Sequence, residues 1–265
     1  TDVAAQLPLA VICEMLGVPE EDHHKVFDWS NRLIGFDDPE YHTSPEDGRI
    51  AATEMFLYAH GLATERKARP KADIVSILMG AEVDGDVLTD GDFDGFFILL
   101  AVAGNETTRN LISGAMLALI EHPEQRDRLI ADPALMPTAV EEFLRWVSPL
   151  IYFRRTLTRD VAVGGQQMRA GDKVAMYYPS GNRDEAIFDD AGAFDVARTP
   201  NANMAFGGGG PHFCLGSSLA RLEIRCMFEE LLRRLPALEL DGPVMRLRSN
   251  FINGIKHMPV RFTPE

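Results

Sequence analysis

The sequence predicts a mainly α-helical chain carrying small β-sheets. Three observations lead there. One helical pattern runs from about residue 90 to 121, with Thr89 as its N-cap and Pro123 just beyond its end. Shorter apolar-periodic segments flank it and stop at Gly or Pro. Strand-like alternation is confined to residues 151–178, where it is cut by Gly164-Gly165 and by Ala170-Gly171-Asp172.

In chain order, residues 3–16 read as a buried helix halted by Gly17-Val-Pro19, with Cys13 in the core. Residues 20–35 form a more polar helix. Its adjacent His23 and His24 do not share a helix face, so they are no metal pair. Residues 36–47 are a loop rich in Asp, Pro, Ser and Thr. Residues 49–69 return to helix, with a stripe at Met55, Phe56, Ala59 and Leu62. A short helix at 73–79 and a hairpin-like turn at 81–86 lead into the long helix. That helix is roughly 45 Å long, enough to cross a domain. Its stretch from Phe96 to Ala103 is apolar all round, which predicts burial on every side. Helices follow at 123–130 and at 137–147, the second closed by Ser148-Pro149. Residues 151–163, 166–168 and 173–178 are strands, and 182–203 is an irregular loop. A last helix covers 215–235, where Leu219, Leu222 and Cys226 at i, i+3, i+7 predict a buried Cys226.

A chain of 265 residues can hold one large core or two domains, and this one reads as a single domain. A net charge of −14 excludes a general nucleic-acid binder. Three cysteines with no Cys-x-x-Cys spacing point to a reducing, cytoplasmic setting without a disulfide framework. No apolar run is long enough to span a bilayer, and no signal peptide is visible.

Two polar patches carry the chemistry. The first, Ala103-Gly104-Asn105-Glu106-Thr107-Thr108, interrupts the apolar run of the long helix. Polar groups there are costly unless satisfied or used. Ala103 and Gly104 remove bulk, so a flat ligand could lie against the backbone. Thr107 can turn its hydroxyl to the carbonyl four residues earlier, and Glu106 beside it is titratable. The second patch is Phe206-Gly-Gly-Gly-Gly-Pro-His212-Phe-Cys214-Leu-Gly216. Consecutive glycines let the backbone turn sharply or approach something bulky. Gly-Lys-Ser/Thr is missing, which excludes a P-loop. Cys214 precedes a helix N-terminus, which favours a thiolate, a metal ligand.

This second patch resembles the ligand loop of the cytochrome P-450 family, the haem-thiolate monooxygenases, with Phe206 displaced by one extra glycine. The resemblance covers nearly the whole chain. The Ala103–Thr108 patch is similar to that family's oxygen-activating motif. Glu142-x-x-Arg145 with Arg198 is similar to its buried Glu-x-x-Arg network, although the i, i+3 pair alone reads equally as a surface ion pair.

The resemblance implies a multihelical P-450 fold lacking its N-terminal part, and haem b ligated by Cys214. Glu106 and Thr107 would be the proton-relaying pair. Arg155, with Arg154 as understudy, and His212 would face the haem propionates. Ala103, Gly104, Phe206 and Gly216 would border the cofactor. The helices around loop 36–47 would form a lid, with Phe36, Tyr41 and Tyr58 as substrate contacts. Electrons would come from a ferredoxin and its reductase, docking near Arg221 or Arg225. The substrate would be an apolar molecule, a sterol or methyl-branched lipid. Two other readings stay open: a non-catalytic haem sensor or carrier, and a hydrolase using Cys214 with a histidine such as His257.

Overall fold

The computed structural model describes residues 1–41, 44 and 46–263. Its axis is helix α5 (Asp90–Glu121). Thr89 Oγ1 accepts from the Asp92 amide at 3.2 Å and Asp92 Oδ2 accepts from the Thr89 amide at 3.3 Å, a reciprocal cap that starts the helix. Its far end meets Pro123, the first residue of α6 (Pro123–Ala131).

Four earlier helices surround the first half of α5. They are α1 (Gln6–Met15), α2 (His23–Ile34), α3 (Asp47–Ala68) and α4 (Ile74–Met79). Ile12, Met55, Ala59, Phe93 and Phe97 make their shared core. The second half of α5 packs against α7 (Met136–Val147) and α9 (Ser217–Arg234), through Leu111, Ala115, Phe143, Leu144 and Phe228. The first apolar cluster stops at Ala101 and the second begins at Leu111 on this helix. Between them lie the buried polar residues Asn105, Glu106, Thr108, Arg109 and Asn110.

The sheets are small antiparallel pairs. A hairpin of β1 (Glu82–Val83) and β2 (Asp86–Val87) precedes α5. Strand β3 (Tyr152–Thr156) pairs with β6 (Lys173–Tyr177), placing Arg155 opposite Val174. Strand β4 (Val161–Val163) turns through Gly164 and Gly165, both at positive φ, into β5 (Gln166–Met168). The short α8 (Tyr178–Gly181) follows β6. At the C-terminal end β7 (Glu239–Leu240) pairs with β10 (Val260–Arg261), and β8 (Met245–Arg246) with β9 (Ile255–His257).

Four expectations need correction. Residues 151–163 are two strands, because Leu157 donates to the Asp172 carbonyl and Asp160 accepts from the Ala170 amide, closing a turn between them. Cys226 is exposed, and so is Leu222. Helix α9 carries two apolar stripes, and the one that meets α5 and α7 is Ile224, Phe228 and Leu232. Helix α5 is not buried all round: Gly95, Leu99 and Ala103, spaced by four, make an open stripe, with Leu99 59% exposed. Tyr58 is ordinary packing, its hydroxyl donating to Asp22 at 2.9 Å and its ring against Trp29 and Phe97. Of the expected loop 36–47, residues 42, 43 and 45 lie outside the described residues. Among the described residues no helix is long and apolar enough to cross a membrane.

Candidate functional site

Gly207, Gly209 and Gly210 have φ of 92°, 97° and 75°, a left-handed backbone that side chains disfavour. These turns let the Cys214 amide donate to the Phe206 carbonyl at 3.0 Å, closing the loop on itself. Gly216 starts α9, and its amide donates to the Cys214 sulfur. Cys214 is exposed, and the atoms crowding its sulfur still push the thiol up, outweighing the Gly216 amide and the Arg221 charge. The expectation of a thiol lowered by its helix terminus is therefore corrected, because desolvation of the sulfur dominates. A bound cation would shift that balance towards thiolate.

Phe206 has a defined place. The Arg221 guanidinium lies 4.5 Å from its ring centroid, while Arg221 Nε donates to Glu141 Oε1 at 2.5 Å. Arg221 thus braces the loop from α9. Arg225 is half-exposed, with only a loose 3.8 Å pair to Glu229.

The loop's other support is a buried ionic knot. Glu142 and Arg145 are both 0% exposed, so the surface-pair reading fails. Arg145 Nε and Nη2 donate to the two Glu142 oxygens at 2.7 Å each. Its Nη1 donates to the carbonyls of Asn182 and Ala191 at 2.9 Å. Arg198 Nε reaches Glu142 Oε2 at 3.2 Å, while its other nitrogens take the Asp189, Asp190 and Ala193 carbonyls. The irregular segment 182–203 is thus held by arginines rather than by an apolar core. Asn201, donating to Glu142 Oε2 at 3.1 Å, and Asn182, accepting from the Met204 amide at 2.7 Å, complete it. Sequence reasoning missed both, since no pattern separates an asparagine in a knot from one in a turn.

A Cβ on Gly207 would lie 3.8 Å from the Tyr178 hydroxyl, which sets the loop against α8 at the end of β6. Among the described residues Arg154, Arg155 and His212 carry no carboxylate partner, in a chain with 40 acids. A soft sulfur donor, a backbone amide on that sulfur, and cations left for an anion make a donor set that fits a haem.

On α5 the Thr107 hydroxyl donates to the Ala103 carbonyl at 2.8 Å, as its position implied. Ala103 and Thr107 continue the open stripe from Leu99. Gly104 does not: a Cβ there would lie 2.9 Å from Ile12, so its missing side chain makes room for α1 rather than for a flat ligand. Glu106 is fully buried. Burial raises its carboxyl, opposed by an ion pair with Arg109 Nη2. Arg109 Nη1 donates to Asn31 of α2 at 2.9 Å, and the guanidinium sits 5.3 Å from the Phe27 ring centroid. The acid is therefore held from its own helix and from α2, a contact that the i, i+3 spacing of Glu106 and Arg109 could have signalled.

The cytochrome P-450 family model matches residues 129–257, a span containing the ionic knot and Cys214. A solved Bacillus megaterium P-450 in complex with testosterone is 36% identical, with a TM-score of 0.88 over 98% of this chain and 71% of that one. The chain belongs to the cytochrome P-450 family. It is 48% identical over 264 residues to a methyl-branched lipid omega-hydroxylase of Mycobacterium tuberculosis, covering 99% of this chain and 62% of that protein. A Mycobacterium marinum P-450 in complex with pseudoionone is 43% identical, with a TM-score of 0.94 over 98% of this chain and 63% of that one. The chain thus spans about three-fifths of the length of its curated P-450 relatives. As a P-450 chain it belongs to a haem-iron family.

Proposed function

We propose that the whole protein is a haem-thiolate monooxygenase that hydroxylates an apolar, methyl-branched or sterol-like substrate. The observation that carries this is the Cys214 loop, whose glycines at positive φ fold it back on Phe206 and present a cysteine just ahead of α9. Cys214 would hold the iron. Arg155 and His212, with Arg154 beside them, would pair with the carboxylates of the porphyrin. Bound haem supplies the iron centre at which dioxygen is activated.

The chain's own residues do the rest. Ala103 keeps the open face of α5 low, and Leu99 gives that face its apolar character. Thr107 presents a hydroxyl on this face that can hold or pass a proton at Oγ1. Glu106, kept titratable by burial, is the local store from which that proton is replaced. Phe206 and Gly216 shape the sulfur's loop, and Glu142, Arg145 and Arg198 fix the backbone behind it. The substrate class follows the relatives: one is named for a methyl-branched lipid, and solved structures hold pseudoionone and testosterone. A ferredoxin and its NAD(P)H-linked reductase in the cytoplasm would supply electrons, with Arg225 the better-exposed docking cation.

The hydrolase reading lacks its nucleophile–base contact, because among the described residues no histidine hydrogen-bonds Cys214 and His257 pairs with Glu40. The carrier reading leaves the Glu106–Thr107 pair without a use. The test is a reduced carbon-monoxide difference spectrum of the full-length protein. A red-shifted band that disappears in Cys214→Ser is expected. A band that survives the substitution assigns the iron to another ligand and ends the proposal.

A further inference from the structure

Outside the site, a cluster of charged side chains joins the loop after α2 to the C-terminal hairpin. Asp38 is 1% exposed although it lies in a loop. Its Oδ2 accepts from the Arg248 amide at 2.8 Å, and its Oδ1 from Lys256 Nζ at 2.9 Å and from the Glu40 amide at 3.0 Å. Glu40 reaches Lys256 at 2.7 Å and His257 at 2.5 Å. Burial opposes the Asp38 charge, yet the Arg248 amide and Lys256 hold its carboxyl below the usual range. Charges sequestered this way fix one arrangement of two segments more than they add stability.

The hairpin held by this cluster also rests on the central helix. The Ile255 amide donates to Asn110 Oδ1 at 3.2 Å, and Asn110 Nδ2 donates to the Glu106 carbonyl at 2.8 Å. Asn110 is 1% exposed. Gly254 lets the hairpin come this close, since a Cβ there would lie 2.9 Å from Asn110 Oδ1. The Asn110 side chain therefore joins the hairpin to the turn that carries the acid.

We propose that Asn110 is a positioning residue for Glu106: it seats the β8–β9 hairpin on the acid-bearing turn, and the Asp38–Lys256–Glu40 cluster locks loop 36–41 over that seat. The catalytic meaning rests on the function proposed above, whereas the mechanical linkage does not. Coupling of this kind needs a measured interaction between the two ends, not just a chain of contacts.

The experiment uses the full-length holoenzyme and follows the Glu106 carboxyl by infrared titration, its band identified by loss in Glu106→Gln. The charged and titratable groups facing that carboxyl are Arg109 of its own helix and the Tyr41 phenol of the loop. The amine of Thr1 acts on Arg109 in turn, and α2 contributes the neutral Asn31. Asn110→Leu and Lys256→Met are each expected to admit water and lower the Glu106 midpoint by about one unit. Amide exchange at 38–41 and 254–256 should rise about tenfold. The double variant should match the singles rather than their sum. An unmoved Glu106 midpoint in Lys256→Met, or additive effects, overturns the proposal. Lys256→Met decides alone if Asn110→Leu does not fold. Loss of the Cys214-dependent carbon-monoxide band would remove the function instead, leaving the titration to report on the linkage.

Discussion

The buried ionic knot offers the sharpest test of how this chain holds its cysteine loop. Glu142→Gln keeps the side chain's size and removes its charge. Glu142 Oε1 accepts from Arg145 Nη2 at 2.7 Å and from the Asp195 amide at 2.9 Å. Its Oε2 accepts from Arg145 Nε at 2.7 Å, Asn201 Nδ2 at 3.1 Å and Arg198 Nε at 3.2 Å. An amide can present its oxygen to only one of these sets, so the other set faces an NH2 group and two arginines lose their counter-charge. Removing one partner of a buried pair costs about 3–5 kcal/mol. At about 2–4 °C per kcal/mol, the melting midpoint should fall by about 10 °C. The assay is thermal and urea unfolding of the full-length protein followed by circular dichroism, with retention of the red-shifted carbon-monoxide band as a second readout of loop geometry. Glu230→Gln, which breaks exposed pairs with Arg233 and Arg234, is the control and should leave the midpoint in place. A loss below about 1 kcal/mol in Glu142→Gln, the value of an exposed pair, would refute the claim that this knot fixes the 182–203 segment.

Three further outcomes are expected. Thr107→Ala removes the hydroxyl on the open face of α5; substrate and carbon-monoxide spectra should persist while product per NADH falls several-fold and peroxide rises, and unchanged coupling would take Thr107 off the proton route. Gly104→Ala places a methyl 2.9 Å from Ile12 and should destabilise by about 1–3 kcal/mol, an added loss that should vanish when it is introduced into Ile12→Ala; an equal loss in both backgrounds would mean that α1 is not the neighbour that matters. Glu223 is buried on α9, which pushes its carboxyl up to about 7, and its Oε2 has no partner. The folded state then keeps this proton after the unfolded state has lost it, so stability falls as pH rises from about 4.5 to about 7. Glu223→Gln should flatten that segment of the stability profile and raise stability at pH 8 by roughly 2 kcal/mol, whereas a parallel profile would place the titration elsewhere.

Much of the fold was legible because its signals are local. Thr89 and Pro123 bound the central helix, and the structure places its ends at Asp90 and Glu121. The cysteine loop could be read from its glycines, since positive φ is a demand that one residue type meets. The Glu142–Arg145–Arg198 knot was visible as a spacing, but not as a burial.

Some expectations failed where a helix has two faces to choose from. Cys226 and Ile224 are both apolar and both on α9, and only the position of α5 and α7 decides which one is covered. Gly104 looked like a gap for a ligand because a glycine does not announce its neighbour, and that neighbour is Ile12, 92 positions away. Asn110 illustrates the same limit. In the chain it is one more polar residue near the end of a motif, yet the fold puts it between the acid-bearing turn and a hairpin 145 residues distant.

The linear order of residues settled the helices, their caps, the turn that presents the sulfur and the residue types available to proton and metal chemistry, because these depend on backbone preference and nearest neighbours. Tertiary packing alone decided which face of each helix meets solvent, which charges lost their water, and that the Glu106 carboxyl rises, because burial belongs to contacts between segments distant in sequence.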